Sequence, residues 1–202
     1  MNRPSIYTRP NKPFTIPVRK RRDHEDLKPL DAPDLVTVDA ATECHVTPED
    51  VAQRMVDYLG PQGDYHTLEP QAGTGQLVRA LLASGHSVNE LLMIERHIKL
   101  ASGLRTYGPT INRCFLEYAD EMRGKVHFPR IIMNPPFRAV RAHMKAALSL
   151  LDPCGHHDGA TLVALVPITY QHDDAETMEE LGADTFATAK VFTKIIRVSK
   201  PS

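Results

Sequence analysis

A turn with a chemically unusual composition follows an apolar run near the middle of the chain: Asn134, Pro135, Pro136 and Phe137 come directly after RIIM. The side-chain oxygen of Asn134 and the carbonyl of Pro135 can each accept a hydrogen bond, and the prolines stiffen the turn that holds them. Two fixed acceptors suit a conjugated amino nitrogen, because they stabilise the positive charge that develops when it is alkylated. Phe137 offers a face for stacking an extruded base. The simpler interpretation is a proline-rich loop in which Asn134 caps a helix.

A second chemical signal is the glycine-bearing loop LEPQAGTGQL. Gly73 and Gly75 permit a tight turn between a strand and a helix, whose N-terminus offers free N–H groups to a ligand. Glu95, after the next strand, is placed to accept hydrogen bonds from ribose hydroxyls. Glu69, just before the loop, disfavours a pyrophosphate and favours a ligand carrying an ammonium and a sulfonium. The alternatives are a dinucleotide site, whose third glycine is replaced here by Val78, and a tight turn without a ligand.

The elements that position these residues alternate between strand-like and helical patterns. A helix is predicted over HVTPEDVAQRMVDYLG, with Thr47 as its N-cap, Pro48 first inside, Asp50 completing a capping box and Gly60 ending it. Further helices are predicted over GQLVRALLASG, RHIKLASGLRTYG, RAVRAHMKAALSLLD and DAETMEELG. Strands are predicted over YHTLEP, ELLMIE, INRCFLEY, PRIIMN and ATLVALVPITY, and TFATAKVFTKIIRVS is predicted to form two β segments. This alternation predicts an α/β fold with βαβ crossovers and a mostly parallel sheet covered by helices on both faces.

Composition indicates a folded protein of the cytoplasm. The 202 residues are 42% hydrophobic and 24% charged, as in soluble globular domains. No apolar run approaches the roughly 20 residues that span a bilayer, so no membrane association is expected. No signal-peptide core is evident. The three cysteines, Cys44, Cys114 and Cys154, are far apart and lack a CxxC pair, which predicts reduced thiols.

Charge divides the chain into a basic N-terminal arm with a linker, residues 1–44, and a folded domain, residues 45–202. The first 22 residues hold seven Lys or Arg, no acid and several prolines, which predicts an extended or disordered arm. Such an arm suits either phosphate contact or solubility alone. Arg138, Arg141 and Lys145 form a second basic stripe at helical spacing, which fits a phosphate contact or a solvated helix face.

The turn DPCGHHDG contains a cysteine, two histidines and an aspartate. One short turn lacks the paired spacing of a zinc site. A polar turn between a helix and a strand is therefore favoured, and no metal site is predicted.

Taken in order, LEPQAGTG, Glu95 and NPPF resemble the class I S-adenosylmethionine-dependent methyltransferases, in the amino-methylating branch with an (N/D)PP(Y/F) motif. HVTPEDVAQRMVDYL is similar to the cofactor-side helix that precedes the glycine loop in adenine-N6 DNA methyltransferases. The resemblance covers residues 45 to about 199. It implies a Rossmann-like fold with a seven-stranded sheet whose last strand is antiparallel.

The resemblance also implies roles for residues. Asn134, Pro135, Pro136 and Phe137 would be catalytic, and Glu95 would hold the ribose of the cofactor, S-adenosyl-L-methionine. The cofactor would further be bound by Thr47, Glu69, Gln71, Ala72, Gly73, Gly75 and Cys114, with Glu69, Gly73 and Gly75 at its methionine part. Cys114 stands where the family often has an acid for the adenine amino group, and Glu117 and Asp120 remain alternatives for that contact.

The reaction implied is methyl transfer to an amino nitrogen, with adenine N6 in DNA favoured over RNA. Methylation of an RNA base or a protein glutamine, and a catalytically inactive nucleic-acid-binding protein, are the alternatives. The residues after Phe137 leave no room for a target-recognition domain. Weak sequence specificity, or a partner protein that reads the DNA, is therefore expected.

Overall fold

The structure, a computed structural model, describes residues 45–186 and 190–202 together with the backbone of two earlier strands. These strands, β1 (Phe14–Val18) and β2 (Asp34–Val38), pair antiparallel, with Phe14 opposite Val38. β2 lies in the segment that the sequence assigned to a linker, where no strand was predicted. The rest of the predicted basic arm, residues 1–13 and 19–22, lies outside the described residues.

Seven strands form one sheet in the order β5-β4-β3-β6-β7-β9-β8. They are β3 (Thr67–Glu69), β4 (Leu91–Ile94), β5 (Thr110–Ile111), β6 (Arg130–Met133), β7 (Ala160–Pro167), β8 (Ala175–Leu181) and β9 (Thr193–Lys200). β3 to β7 are paired in parallel, whereas β9 is antiparallel to both of its neighbours. The mostly parallel sheet and its antiparallel final strand are therefore confirmed.

In the part of the chain that the structure describes, five α-helices cover the sheet: α1 (Glu49–Leu59), α2 (Gln76–Ala83), α3 (Ile98–Leu104), α4 (Phe115–Met122) and α5 (Val140–Leu150). Buried side chains of α1 and α2, such as Met55 and Leu81, share one core with Ile132 of β6. Side chains of α4 and α5 share a second core with Ile131, on the opposite face of the same strand. Alternate residues of a strand face opposite sides, so the strands are apolar on both faces, as a doubly covered sheet requires.

Two secondary-structure predictions are wrong. INRCFLEY contributes only Ile111 to a strand, and the helix α4 begins at Phe115. DAETMEELG, predicted to be helical, contains the strand β8, which pairs with β9. Of the two β segments predicted at the end of the chain, the second is β9, whereas the first is described only at Phe186, which forms a β-bridge, because residues 187–189 lie outside the described part.

The start of α1 also differs from the prediction. Its N-cap is Pro48, and no side chain caps the helix. The hydroxyl of Thr47 instead accepts a hydrogen bond from Asn134, and the carboxylate of Asp50 bonds Arg54. Gly60 does end the helix, at a φ of 108° that favours glycine.

The connections place a crevice between β3 and β6. From β3 the chain continues to β4 and β5 on one side, whereas β6 and β7 lie on the other. Ligands of open α/β sheets bind at the carboxyl ends of the strands where the order reverses in this way. The glycine loop after β3 and the NPPF turn after β6 thus flank one crevice. Among the described residues, no helix combines the length and apolar character needed to cross a bilayer.

Candidate active site

A cavity of about 330 Å³ opens at the carboxyl ends of β3, β4, β5 and β6. This volume is typical of pockets for small molecules. Nine of the predicted site residues line it: Thr47, Glu69, Gln71, Ala72, Gly73, Glu95, Cys114, Asn134 and Pro136. The other three, Gly75, Pro135 and Phe137, lie beside it in the loops that form its wall.

The glycine loop closes on itself and on the next strand. Gly75 adopts a left-handed conformation (φ 78°, ψ 29°) and its N–H donates to the carbonyl of Ala72 at 2.7 Å. Gly73 also has a positive φ, of 51°, and its N–H donates to Oε2 of Glu95 at 2.8 Å. A β-carbon on Gly75 would meet Leu104 at 2.9 Å, so the loop is packed tightly against α3. The loop therefore has the tight turn that its glycines predicted.

Glu95 links this loop to the end of β4. Besides the bond from Gly73, its Oε1 accepts the N–H of His97 at 2.7 Å, and the residue is nearly buried. Each carboxylate oxygen retains a further lone pair for a ligand donor. Glu95 is thus both a structural tie and an available acceptor at the cavity wall.

Glu69 is the most unusual carboxylate of the site. It ends β3 with 3% of its surface exposed, and its Oε2 has no hydrogen-bond partner in the described part of the chain. Burial, and then the nearby Glu95, raise the pKa of Glu69 well above its usual range. Glu69 lines the cavity, and a cationic ligand beside it would offset the cost of a buried charge.

The NPPF turn is anchored through its asparagine. Nδ2 of Asn134 donates to the carbonyl of His45 and to the hydroxyl of Thr47, both at 2.9 Å. The ring of Phe137 stacks on the His45 imidazole with centroids 5.0 Å apart, and meets Phe186 edge-on at 5.9 Å. The residues just before α1 therefore hold both ends of the turn.

Two lining residues form a polar pair. Nε2 of Gln71 lies 2.8 Å from Nδ1 of His143, and the Gln71 oxygen has no partner among the described residues. Burial, with a smaller contribution from Arg96, lowers the pKa of His143 to about 4, so the imidazole is neutral near pH 7.

Sequence reasoning missed His143. The helical spacing of α5 could have revealed this residue, because it places His143 beside Met144 on the buried face of the helix.

Cys114 lies at the cavity wall, but as the N-cap of α4 rather than at a strand end. Sequence reasoning also missed Arg96 and Arg113 as lining residues, whereas Arg138 belongs to the predicted basic stripe. Arg113 pairs with Glu121, which holds it against α4. Three arginines, including the ion-paired Arg113, therefore line the cavity, and this set is called the cationic rim below.

The DPCGHHDG turn lies elsewhere. It precedes β7 and so belongs to the opposite edge of the parallel strands, where Asp158 accepts a hydrogen bond from Tyr65. The guanidinium of Arg130 lies 4.0 Å from the centre of the Tyr65 ring. None of these residues lines the cavity.

No protein-family model matches the sequence, and comparison with curated proteins found no match. Solved structures do match. TrmN from Thermus thermophilus aligns with a TM-score of 0.57 and 12% identity over 75% of this chain and 48% of that one, so the chain spans about half the length of this neighbour. The 23S rRNA methyltransferase ErmE aligns with a TM-score of 0.59 and 15% identity, over 78% and 70% of the two chains.

A third match is a modification subunit assigned to a type I restriction enzyme of Vibrio vulnificus YJ016. Its TM-score is 0.60 at 16% identity, over 77% of this chain and 44% of that one. At such identities the likeness concerns the fold. The chain has the Rossmann-like fold of class I methyltransferases.

Proposed function

We propose that this protein is an S-adenosylmethionine-dependent methyltransferase that acts on an amino nitrogen, with adenine N6 in DNA as the leading substrate. The observation that carries the proposal is the position of Asn134, whose carboxamide lies at the wall of the same cavity as the glycine loop and Glu69. A conjugated amino group and a methyl donor would meet there.

The cavity suits S-adenosylmethionine because its unpartnered atoms complement that molecule. The carboxylate of Glu69 would attract the ammonium of the methionine part, and Glu95 has lone pairs for the ribose hydroxyls. Leu100, Phe115 and Leu116 offer an apolar wall for a flat base. When bound, the cofactor would supply an electrophilic methyl group on a sulfonium.

Asn134 and Pro135 would act on the target nitrogen. Their oxygens would accept the two N–H groups of the amine, which draws the lone pair out of conjugation and stabilises the charge that grows during transfer. Phe137 already stacks on one planar ring, the His45 imidazole, which supports its proposed role as a platform for an extruded base. No proton needs to leave before the transfer, because the neutral amine is the nucleophile.

A nucleic acid is favoured as the substrate class. Arg96, Arg113 and Arg138 rim the cavity, and such cations contact phosphate groups readily. The resemblance of the motifs to adenine-N6 DNA methyltransferases favours DNA. An RNA base or a glutamine amide has the same conjugated nitrogen, so these remain outcomes of the experiment.

The test is methyl transfer from tritium-labelled cofactor to duplex DNA, single-stranded DNA, RNA or lysate protein, each incubated separately. We expect label in DNA, recovered as N6-methyladenine after digestion. Asn134→Ala should lower the rate by roughly a hundredfold or more, since it removes one transition-state acceptor. Calorimetric titration should show cofactor binding to both proteins. A protein that binds DNA but gives no heat with the cofactor would instead be an inactive binding module.

A further inference from the structure

The orientation of the Asn134 amide is fixed by the segment that precedes α1. Both protons of Nδ2 are used, one by the His45 carbonyl and one by the Thr47 hydroxyl, each at 2.9 Å. A backbone carbonyl can only accept, so the nitrogen must face it. The amide oxygen consequently points the other way, with its lone pairs available to a donor.

Thr47 is built into the fold in a manner that suits this role. It is 4% exposed and stands one residue before Pro48, the N-cap of α1. A threonine at a helix start usually bonds a backbone N–H of the first turn, yet this helix has no side-chain cap. The hydroxyl thus serves Asn134 instead of the helix.

The two hydrogen bonds that Asn134 donates to His45 and Thr47, called the clamp below, also rest on a rigid support. α1 packs against β6 and β7. The NPPF turn and α5 connect these two strands along the chain. Met55 and Val56 of α1 are buried in the same core as Ile132 of β6, one residue before Met133 and two before Asn134. The distance between Thr47 and the turn is therefore set by a packed interface rather than by a loop.

We infer that Thr47 is a positioning residue, which together with the His45 carbonyl holds the Asn134 oxygen toward the substrate amine. This inference rests on the proposed function, and it assigns Thr47 a role other than cofactor binding. Without the hydroxyl, one amide proton loses its acceptor, and the carboxamide can rotate so that a nitrogen faces the amine. The oxygen would then be correctly placed for only part of the time.

The kinetic test compares Thr47→Val, which keeps the shape, with Thr47→Ser, which keeps the hydroxyl. We expect Thr47→Val to lower kcat by roughly tenfold to a hundredfold, as for loss of one buried hydrogen bond, with KM and Kd for the cofactor unchanged. Thr47→Ser should recover most of the loss. A weakened cofactor affinity with kcat preserved, or a serine variant as poor as valine, would overturn the assignment.

A second measurement does not depend on activity. In protein labelled with nitrogen-15 asparagine, the side-chain amide protons of Asn134 should exchange with water more slowly in the wild type than in Thr47→Val. Asn134→Ala identifies the signal, and thermal melting verifies that each variant is folded. Equal exchange rates in the two proteins would refute the clamp, whereas slow exchange in a wild type inactive on every substrate would refute only the proposed function.

Discussion

Glu69 and Glu95 end neighbouring parallel strands and are both nearly enclosed, yet their surroundings differ. Glu95 accepts two backbone N–H groups, whereas Oε2 of Glu69 has no partner among the described residues. Burial, and then Glu95, disfavour the charged form of Glu69 and raise its pKa, although a backbone hydrogen bond at Val78 and the charge of Arg79 partly offset this effect. A cationic ligand would reverse this preference. We therefore expect the ionised form of Glu69 to lower stability in the free protein and to favour binding of a cation.

The sign of the pH effect follows from the raised pKa of Glu69. In the unfolded chain this carboxyl ionises near its ordinary value of 4.5, while in the folded protein it keeps its proton to higher pH. Between these two values the folded state binds more protons, so the contribution of Glu69 to stability is full below about pH 4.5 and is lost as the pH rises through the folded pKa.

Glu69→Gln should remove this dependence while keeping the shape of the side chain. We expect the variant to be more stable than the wild type at about pH 8, by about 1–2 kcal/mol, and similar to it at about pH 4.5. Cofactor affinity should fall by at least about tenfold, because an amide replaces the charged partner of the ammonium. Urea unfolding at both pH values and calorimetric titration measure the two effects.

The matched control is Glu180→Gln, an exposed glutamate on the edge strand β8. It should alter neither stability nor affinity. Loss of stability in Glu69→Gln at high pH would mean that the wild-type carboxylate is ionised and satisfied in the free protein.

At the scale of elements, local helix propensity gave a wrong prediction for β8, because pairing with another strand decides the structure of that segment. AETMEEL contains strong helix formers, yet β8 pairs with β9 along its length, with an irregularity between Thr177 and Glu179. As an edge strand it exposes Glu176, Thr177 and Glu180, which hides the alternation of a buried strand. The sheet provides hydrogen bonds that an isolated sequence window cannot reveal.

The error at α4 had a readable cause. Phe115 and Tyr118 favour strands by propensity, but with Ala119 they have the spacing of one helical face, and all three are buried in the same core. The helical spacing of these apolar residues was present in the sequence, but the strand propensity of the aromatic residues was given more weight in the prediction. For the site, the consequence is that Cys114 begins a helix, a position that a strand prediction cannot supply.

The glycine loop, in contrast, was predictable because its backbone requires glycine. Gly75→Ala should cost about 2–3 kcal/mol of unfolding free energy, since a left-handed φ is combined with a contact of 2.9 Å to Leu104. Gly124→Ala is the control for backbone strain, because its φ is also positive but nothing lies within 4 Å. It should cost about 1 kcal/mol. Chemical denaturation measures both, and equal losses would show that the α3 contact is not tight.

At the scale of the whole molecule, the α/β fold class could be predicted from the alternation of strand and helix patterns. The clamp on Asn134 could not be predicted from the sequence. The strand order places the loops after β3 and β6 side by side, although the sequence separates them by about 60 residues. Thr47 was predicted as a helix cap because its nearest sequence neighbours suggest one. Its actual partner, Asn134, is 87 residues away, and only the packed fold brings the two together.

The elements that follow the NPPF turn bear on how DNA would be read. Within the described residues, α5, β7, β8 and β9 all belong to the sheet or its covering layer. The cationic rim of the cavity suits phosphates, which carry no sequence information directly. We therefore expect the purified protein to methylate adenines in many sequence contexts, with a rate that falls steeply as the salt concentration rises.

Mapping of methylated positions on DNA of mixed sequence measures this prediction, with Asn134→Ala as the inactive control. Methylation confined to one recognition sequence would contradict the prediction, and a strict site that emerges only with an added partner protein would identify that partner as the reader.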